Sequence, residues 1–236
     1  MTAAPAIRQT RETASSVPTA TETRLIPFIT QRKGEEAAPD NLVIYRHASG
    51  PRLYYRDEDP RDRPMRGILW ARCGFNPTDR HRMPTGEPQW KLMHPYRQMM
   101  TMQALRCQVC SRKARTPLGF IFLAGPKDED PTQSTIYTNQ PPVCPKHARA
   151  AAALCPYLEK NPMVLLARSA PLYGVGGVIY GLTADNQVHV VARPDHALPF
   201  GHPNIPTLLA SQLIRRLSSF RVVDMGELLR ELQLTA

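Results

Sequence analysis

Residues 141–156 read PPVCPKHARAAAALCP, and the predicted fold is built around this stretch. The two prolines at its start predict a turn, and the run that follows Cys144 predicts a helix. Cys144 would then lie at or near the N-cap, with His147 three residues later on the same helical face. A thiol and an imidazole placed together at the start of a helix predict a metal site.

A second pair of metal-ligand residues, Cys107 and Cys110, lies upstream with two residues between its members. Structural zinc takes four nitrogen or sulfur ligands in a tetrahedron, and this spacing lets a tight turn direct both thiols at one ion. The runs LGFIFLAG and STIYTNQPPV, between the pairs, predict a β-hairpin. A C-x2-C turn, a hairpin and a helix in this order predict a treble-clef-like module. This module would hold Zn²⁺ through Cys107, Cys110, Cys144 and His147.

Two other interpretations of the cysteines stay open. Both pairs could occupy ordinary core or turn positions, or the C-x2-C could be a redox motif, although that motif prefers a strand-to-helix context. The odd count of five cysteines argues against a disulfide framework and favours metal binding in a reducing compartment. Cys155 lies about three helical turns beyond Cys144, roughly 16 Å away, so Cys155 and Cys73 are expected in the core.

Signals for catalysis are weak. Treble-clef nucleases place a catalytic histidine on the hairpin, whereas residues 111–143 contain no histidine. A zinc ion with four protein ligands has no open position for water. The run GVGGVIYG departs from the G-x-G-x-x-G fingerprint at Ile179. Asp195, His196 and His202 fall in one loop and leave open a second metal site, although a surface loop is the simpler interpretation.

The positive charge of the chain is concentrated in one segment. The net charge is +10, and residues 41–116 carry fifteen basic and six acidic residues, whereas residues 1–40 are balanced and residues 117–236 are nearly so. A basic segment attracts nucleic acid by counterion release, although an arginine-rich bias is also typical of GC-rich genomes. The candidate nucleic-acid-binding residues are Arg97, Arg106, Arg112, Lys113 and Arg115.

The pattern along the chain predicts an α+β protein in three parts. Residues 1–40 are expected to be a disordered tail, residues 41–160 a basic β segment plus the zinc module, and residues 161–236 a C-terminal α/β part packed on it. The run NLVIYRHASGPRLYYR predicts a hairpin, GILWARC and PQWKLM predict strands, and HPYRQMMTMQ predicts a helix that begins at Pro95.

The C-terminal part is predicted to contain three strands, in the runs MVLLARS, YGVGGVIYGL and VHVVARP. The run NIPTLLASQLIRRLSSF then predicts a helix, RVVD a short strand, and MGELLRELQL a terminal helix. No stretch of 18 or more apolar residues occurs and the N-terminus lacks a secretory signal, so a cytoplasmic protein without membrane contact is expected.

The motifs LWARC, GEPQWKLMHPYRQ, LRCQVC, PPVCPKHAR and LCP together resemble a family of uncharacterised actinobacterial proteins. The resemblance covers about residues 41–160, and more loosely the strands beyond. In that family the second ligand pair commonly reads C-x2-C, and this chain has His147 at the last position, a change that preserves zinc ligation. The resemblance implies a high-GC bacterial origin and supplies no activity.

Three hypotheses for function follow. The first is a non-catalytic protein with a structural zinc site that binds DNA or RNA through residues 41–116. The second is a protein-interaction or structural accessory protein with no nucleic-acid role. The third is an enzyme of unknown class, for which the sequence offers no convergent set of acid, base and nucleophile.

Overall fold

The computed structural model describes residues 25–37, 41–125, 133–155, 158 and 162–234. Within these residues the strands are β1 (Thr30–Arg32), β2 (Leu42–His47), β3 (Gly50–Tyr55), β4 (Pro88–Met93), β5 (Phe120–Ala124), β6 (Ile136–Thr138), β7 (Met163–Ala167), β8 (Leu172–Leu182), β9 (Val188–Ala192), β10 (Leu198–Pro199), β11 (Leu208–Leu217) and β12 (Phe220–Val223). The helices are α1 (Pro95–Gln103), α2 (Ala148–Leu154) and α3 (Met225–Leu234).

The predicted α+β fold with a treble-clef-like module is wrong. β-Structure dominates: among the described residues, about 40% lie in strands or isolated β-bridges and 18% in helices or 3₁₀ turns, and one sheet curls into a half-barrel. The hairpin expected between the ligand pairs does not form, because β5 pairs with β7 whereas β6 pairs with β11 in another sheet. All five residues of β5 are buried, and its two faces enter different core clusters, so this strand lies inside the fold rather than in a small zinc module.

The helix predicted over residues 204–220 is also wrong, because most of this run forms strand β11. Strand β11 lies between β8 and β6 in the largest sheet, whose order is β10-β8-β11-β6, with β9 added to β8. Its register with β8 shifts twice, after Ala210 and after Ile214. These irregularities break the strict alternation of apolar and polar residues that identifies a half-buried strand, so the spacing of the leucines resembles that of a helix.

Part of the predicted disordered tail belongs to the fold. Strand β1 pairs with β4, and Arg32 and Glu35 are 1% and 0% exposed. Residues 1–24 and 38–40 lie outside the described residues. The strand predicted in GILWARC is wrong too, since this segment forms only isolated bridges, among them one between Trp70, which is fully buried, and Ala210.

Other predicted elements are confirmed. Strands β2 and β3 form the first hairpin, and β8 and β9 form the last. Helix α1 begins at Pro95 with His94 as its N-cap, and it packs on β11, where the Gln98 amide both donates to and accepts from the backbone of Leu213 at 2.9 Å. The β5–β7 and β6–β11 pairs each join a strand that precedes residue 160 to one that follows it. Two sheets therefore contain strands from both sides of the predicted domain boundary.

Candidate metal centre

The four predicted ligands come together in the structure. The ligand atoms of Cys107, Cys110, Cys144 and His147 all lie within 4.8 Å of one another. The sulfur atoms of Cys110 and Cys144 are 4.0 Å apart, and Sγ of Cys144 is 3.2 Å from Nδ1 of His147. Since zinc–sulfur bonds of about 2.3 Å place tetrahedral sulfur ligands about 3.8 Å apart, these atoms already have the spacing of a tetrahedral site.

A short turn positions the first ligand pair. The N–H of Cys107 donates to the carbonyl of Arg112 at 2.7 Å, and the N–H of Ser111 donates back to the carbonyl of Cys107 at 2.8 Å. Ser111 has a φ of 57°, and this left-handed residue closes the turn. The N–H of Val109 points at Sγ of Cys107 over 3.4 Å, so a backbone donor already supports that sulfur as an acceptor.

The knuckle, defined here as residues 106–113, is fixed to two other segments. The N–H of Gln108 donates to the carbonyl of Pro142 at 3.0 Å, next to the second ligand pair. The N–H of Phe28 donates to the carbonyl of Val109 at 3.0 Å, which brings the segment before β1 against the knuckle. The two ligand pairs are therefore held together by backbone hydrogen bonds as well as by any ion between them.

The second pair lies on a single 3₁₀ turn, Pro145–His147, that precedes α2. Cys144 caps this turn in an extended conformation, and the N–H of His147 donates to the carbonyl of Cys144 at 3.0 Å. One residue earlier, the N–H of Val143 donates to the carbonyl of Ile121 in β5 at 2.8 Å. The sheet therefore fixes the backbone that carries Cys144.

The electrostatics of the centre favour at least one thiolate. A hydrogen bond from the Cys144 thiol lowers the pKa of Cys107 to about 5, while the same interaction raises the pKa of Cys144. Burial raises the pKa of Cys110. In the metal-free site, Cys107 therefore carries the charge and Cys144 the proton. A divalent cation would stabilise all three sulfurs as thiolates, and its binding would release protons.

The chemistry of the donor set fits zinc. Three sulfurs and one imidazole nitrogen are ligands that zinc prefers in closed structural sites. Cys107 and Val109 are fully buried and belong to a core cluster with Val143, Ala148 and Leu228, so an ion here would lie at the edge of a core shared by the knuckle, α2 and α3. Cys155 packs against this cluster as a core residue and is not one of the four ligands.

The structure places Arg97, one of the predicted nucleic-acid-binding residues, in the interior. Arg97 is 4% exposed, and its guanidinium donates to both carboxylate oxygens of Glu35, at 2.5 and 2.8 Å. The remaining four candidates are exposed at or beside the knuckle: Arg106, Arg112, Lys113 and Arg115.

Elsewhere in residues 41–116 several arginines are neutralised by neighbouring acids. Arg61 pairs with Asp59 at 2.6 Å, and Arg63 pairs with Glu58 at 2.7 Å. Arg72 pairs with two carboxylates, Asp57 and Asp62. The excess of positive charge therefore does not cover the segment evenly, and no acid among the described residues forms an ion pair with a basic side chain of the knuckle.

The structure also places Cys73 against His94, a contact that the sequence does not reveal because 20 residues separate the two. Sγ of Cys73 lies 3.5 Å from Nε2 and 3.6 Å from Nδ1 of His94. Burial raises the pKa of Cys73 to about 11 and lowers the pKa of His94 to about 4. Both groups are therefore neutral near pH 7, and they lack the thiolate–imidazolium character of a cysteine nucleophile.

The loop that contains Asp195, His196 and His202 does not bring these three side chains together as a second metal site. His196 pairs with Asp195 at 2.9 Å, with both side chains exposed, while Nδ1 of His202 accepts from the N–H of Asn204 at 3.2 Å. Within the described residues, the cluster at the knuckle is the one group of three or more histidine, cysteine or acidic side chains spaced for a metal.

Comparisons with protein families, with curated proteins and with solved structures found no match. The resemblance to an actinobacterial family stays an expectation from sequence motifs, and so does the cytoplasmic location. Over the residues that the structure covers, no helix has both the length and the apolar character needed to cross a membrane.

Proposed function

We propose that this chain is a non-catalytic nucleic-acid-binding protein in which a structural zinc ion shapes the binding surface. The observation that carries the proposal is that the Cys₃His cluster forms on a turn whose neighbouring residues Arg106, Arg112 and Lys113 are basic and exposed. The ion would be held by the same turn that presents the positive charges, so metal binding and surface shape would be linked.

The ligand count supports a structural rather than a catalytic ion. Catalytic zinc sites keep one coordination position for water, whereas four protein side chains fill a tetrahedron. The two ligand pairs come from segments far apart in sequence, and the metal would cross-link them next to the core cluster around Val109 and Val143. Its binding free energy would therefore contribute to folding.

The charge around the knuckle supports a polyanionic partner. The backbones of Arg106 and Lys113 form an isolated antiparallel β-bridge across the turn, and Arg112 is the residue before Lys113. Three exposed positive charges therefore lie on one short turn. Residues 98–125 contain four basic residues and no acidic residue. A surface of this kind attracts a phosphate backbone, with an affinity that falls as salt is added.

Fluorescence anisotropy with a labelled 30-nucleotide DNA, single-stranded and as a duplex, tests this proposal. The triple variant Arg106→Gln, Arg112→Gln, Lys113→Gln should bind more weakly, and the slope of log K against log salt should become shallower by about one per residue removed. The matched control removes the same charge from exposed residues elsewhere, as Arg46→Gln, Arg80→Gln, Arg82→Gln. Equal losses in both triple variants, or no binding by the wild type at low salt, would contradict the proposal.

A second candidate, a protein-interaction role, is favoured by one edge of the largest sheet. Strand β9 pairs with β8 alone among the strands that the structure describes, and it exposes Val190 and Val191 at 41% and 57%. An exposed apolar edge strand can pair with a strand from another chain. A protein partner that is lost in Val191→Lys but retained in the knuckle triple variant would support this candidate over the first.

A further inference from the structure

We infer that a backbone phosphate of the bound nucleic acid is held in a cleft lined by Arg115, Arg168 and Arg221. The cleft has a volume of about 660 Å³ and lies at one end of the three-stranded sheet β12-β7-β5. This inference rests on the proposed function for the source of the phosphate, and it adds a second contact region that lies partly outside the basic segment 41–116.

Strands β7 and β12 each bring one arginine to the same end of the sheet. Arg168 directly follows β7, and Arg221 lies in β12 opposite Leu166. The N–H of Arg168 donates to the carbonyl of Ser219 at 3.2 Å, so the strand pairing continues to this residue. Side chains two residues apart on a strand share a face, and diagonal cross-strand neighbours are within reach of long side chains. Arg168 and Arg221 therefore extend from the same face of the sheet.

A tight turn brings Arg115 to this end of the sheet, where it lines the same cleft. The N–H of Thr116 donates to the carbonyl of Gly119 at 2.8 Å, which closes the turn that follows Arg115. Gly119 has a φ of +132°, and a Cβ built there would lie 2.5 Å from the carbonyl oxygen of Ala167 and 3.4 Å from Cα of Arg168. Only glycine allows the turn to approach β7 so closely.

The side chain of Arg115 is supported by an aromatic ring. Its guanidinium carbon lies 5.3 Å from the centre of the Phe120 ring, a distance typical of a cation–π contact. Leu118 and Leu166 form apolar parts of the cleft wall. Guanidinium groups beside apolar walls are suited to phosphate, because each presents a planar fork of N–H donors to the phosphate oxygens.

The charges that line the cleft are unbalanced. Glu231 is the one acid among the described residues that line the cleft, and its carboxylate lies 3.8 Å from the Arg221 guanidinium. Both side chains of this pair are at least half exposed, at 60% and 50%, so the pair contributes little to stability. Over the described lining residues, three positive charges and one negative charge leave a net charge of +2, which an anionic ligand would offset.

The cleft and the knuckle contain residues that are close in sequence. Arg115 follows Lys113 by two residues, a backbone span of at most about 7 Å. Consecutive phosphates of one DNA strand advance about 3.4 Å along the helix axis, so contacts at the knuckle and in the cleft would fall within a few nucleotides of each other. A nucleic-acid backbone is therefore the phosphate source that fits both regions, whereas a single small phosphate would fit only one.

The test uses the full-length protein and the same labelled DNA. Arg168→Gln and Arg221→Gln should each weaken binding by about tenfold and make the salt slope shallower by about one. Glu231→Gln should tighten binding by about two- to fivefold, because it removes a repulsive charge, and a misfolded variant could not give that result. Arg56→Gln, an exposed arginine outside the cleft, is the matched control and should cause a smaller loss.

The possible outcomes separate this inference from the proposed function. Binding by the cleft variants with wild-type affinity and salt slope would overturn the inference while the knuckle proposal stands. If inorganic phosphate raised the melting temperature of the wild type but not of Arg168→Gln, and DNA binding were unchanged in that variant, the cleft would be a site for small phosphates, which also overturns the inference. Absence of DNA binding by the wild type would overturn both.

Discussion

The carboxylate of Glu35 accepts two hydrogen bonds from the guanidinium of Arg97, and both side chains are buried. The backbone N–H groups of Arg32 and Asn76 also donate to this carboxylate, at 2.7 and 3.0 Å. Arg97 lies on α1, whereas Glu35 follows β1. One ion pair therefore joins the N-terminal segment to the helix that leads into the knuckle.

Replacement of this carboxylate should be costly. Glu35→Gln would leave Arg97 and its neighbour Arg32 buried without the opposing charge, and loss of one partner of a buried pair typically costs about 3–5 kcal/mol. We expect a decrease of about that size in the free energy of unfolding, measured in urea at pH 7. The control is Glu87→Gln, whose pair with Lys33 is 3.9 Å long and highly exposed, and which should cost less than about 1 kcal/mol. Equal costs would show that the buried pair is not a major contributor.

The same carboxylate should affect stability in acid. Burial alone would raise the pKa of Glu35, but hydrogen bonds from Arg97 and from the backbone of Asn76 and Arg32 outweigh it and hold the pKa at about 2, below its ordinary 4.5. A lowered folded-state pKa stabilises the native state above pH 4.5, and this contribution is lost as the pH falls towards 2. The stability of the wild type should therefore fall more steeply between pH 5 and 2 than that of Glu35→Gln. Parallel pH profiles for the two proteins would contradict this assignment.

Two adjacent glycines of β8 should respond differently to the same substitution. A Cβ at Gly177 would collide with the backbone of Leu209 and Ala210 in β11, whereas a Cβ at Gly176 would make an ordinary contact with the Gln212 side chain, 3.5 Å away. We expect Gly177→Ala to lower the free energy of unfolding by about 1–3 kcal/mol, and Gly176→Ala to change it by less than about 0.5 kcal/mol. Similar effects at the two positions would show that close approach of β8 and β11 is not what requires glycine.

The metal ligands could be predicted because their signal is local. The spacing of Cys107 with Cys110, and of Cys144 with His147, reflects single turns of backbone, and the structure brings all four ligand atoms together. Helix α1 could be predicted for the same reason, since Pro95 at its first position and His94 as its cap are local features.

The sheet arrangement could not be predicted, because it depends on contacts between distant residues. Nothing within LGFIFLAG shows that β5 pairs with β7 rather than with the next strand in sequence. The bulges of β11 remove the alternation that marks a strand. The sequence could not show that Arg97 is paired, because its partner, Glu35, lies 62 residues away in a segment expected to be disordered.

The zinc content of the purified, reduced protein, measured by elemental analysis beside three variants, tests whether the cysteine–histidine cluster is a structural metal centre. We expect about one zinc per chain in the wild type. His147→Cys should retain the ion because a fourth thiolate replaces the imidazole, whereas Cys144→Ser and His147→Ala should lose zinc and stability together. Freshly purified, reduced protein that folds stably without zinc, or retention of the metal by Cys144→Ser or His147→Ala, would contradict the account.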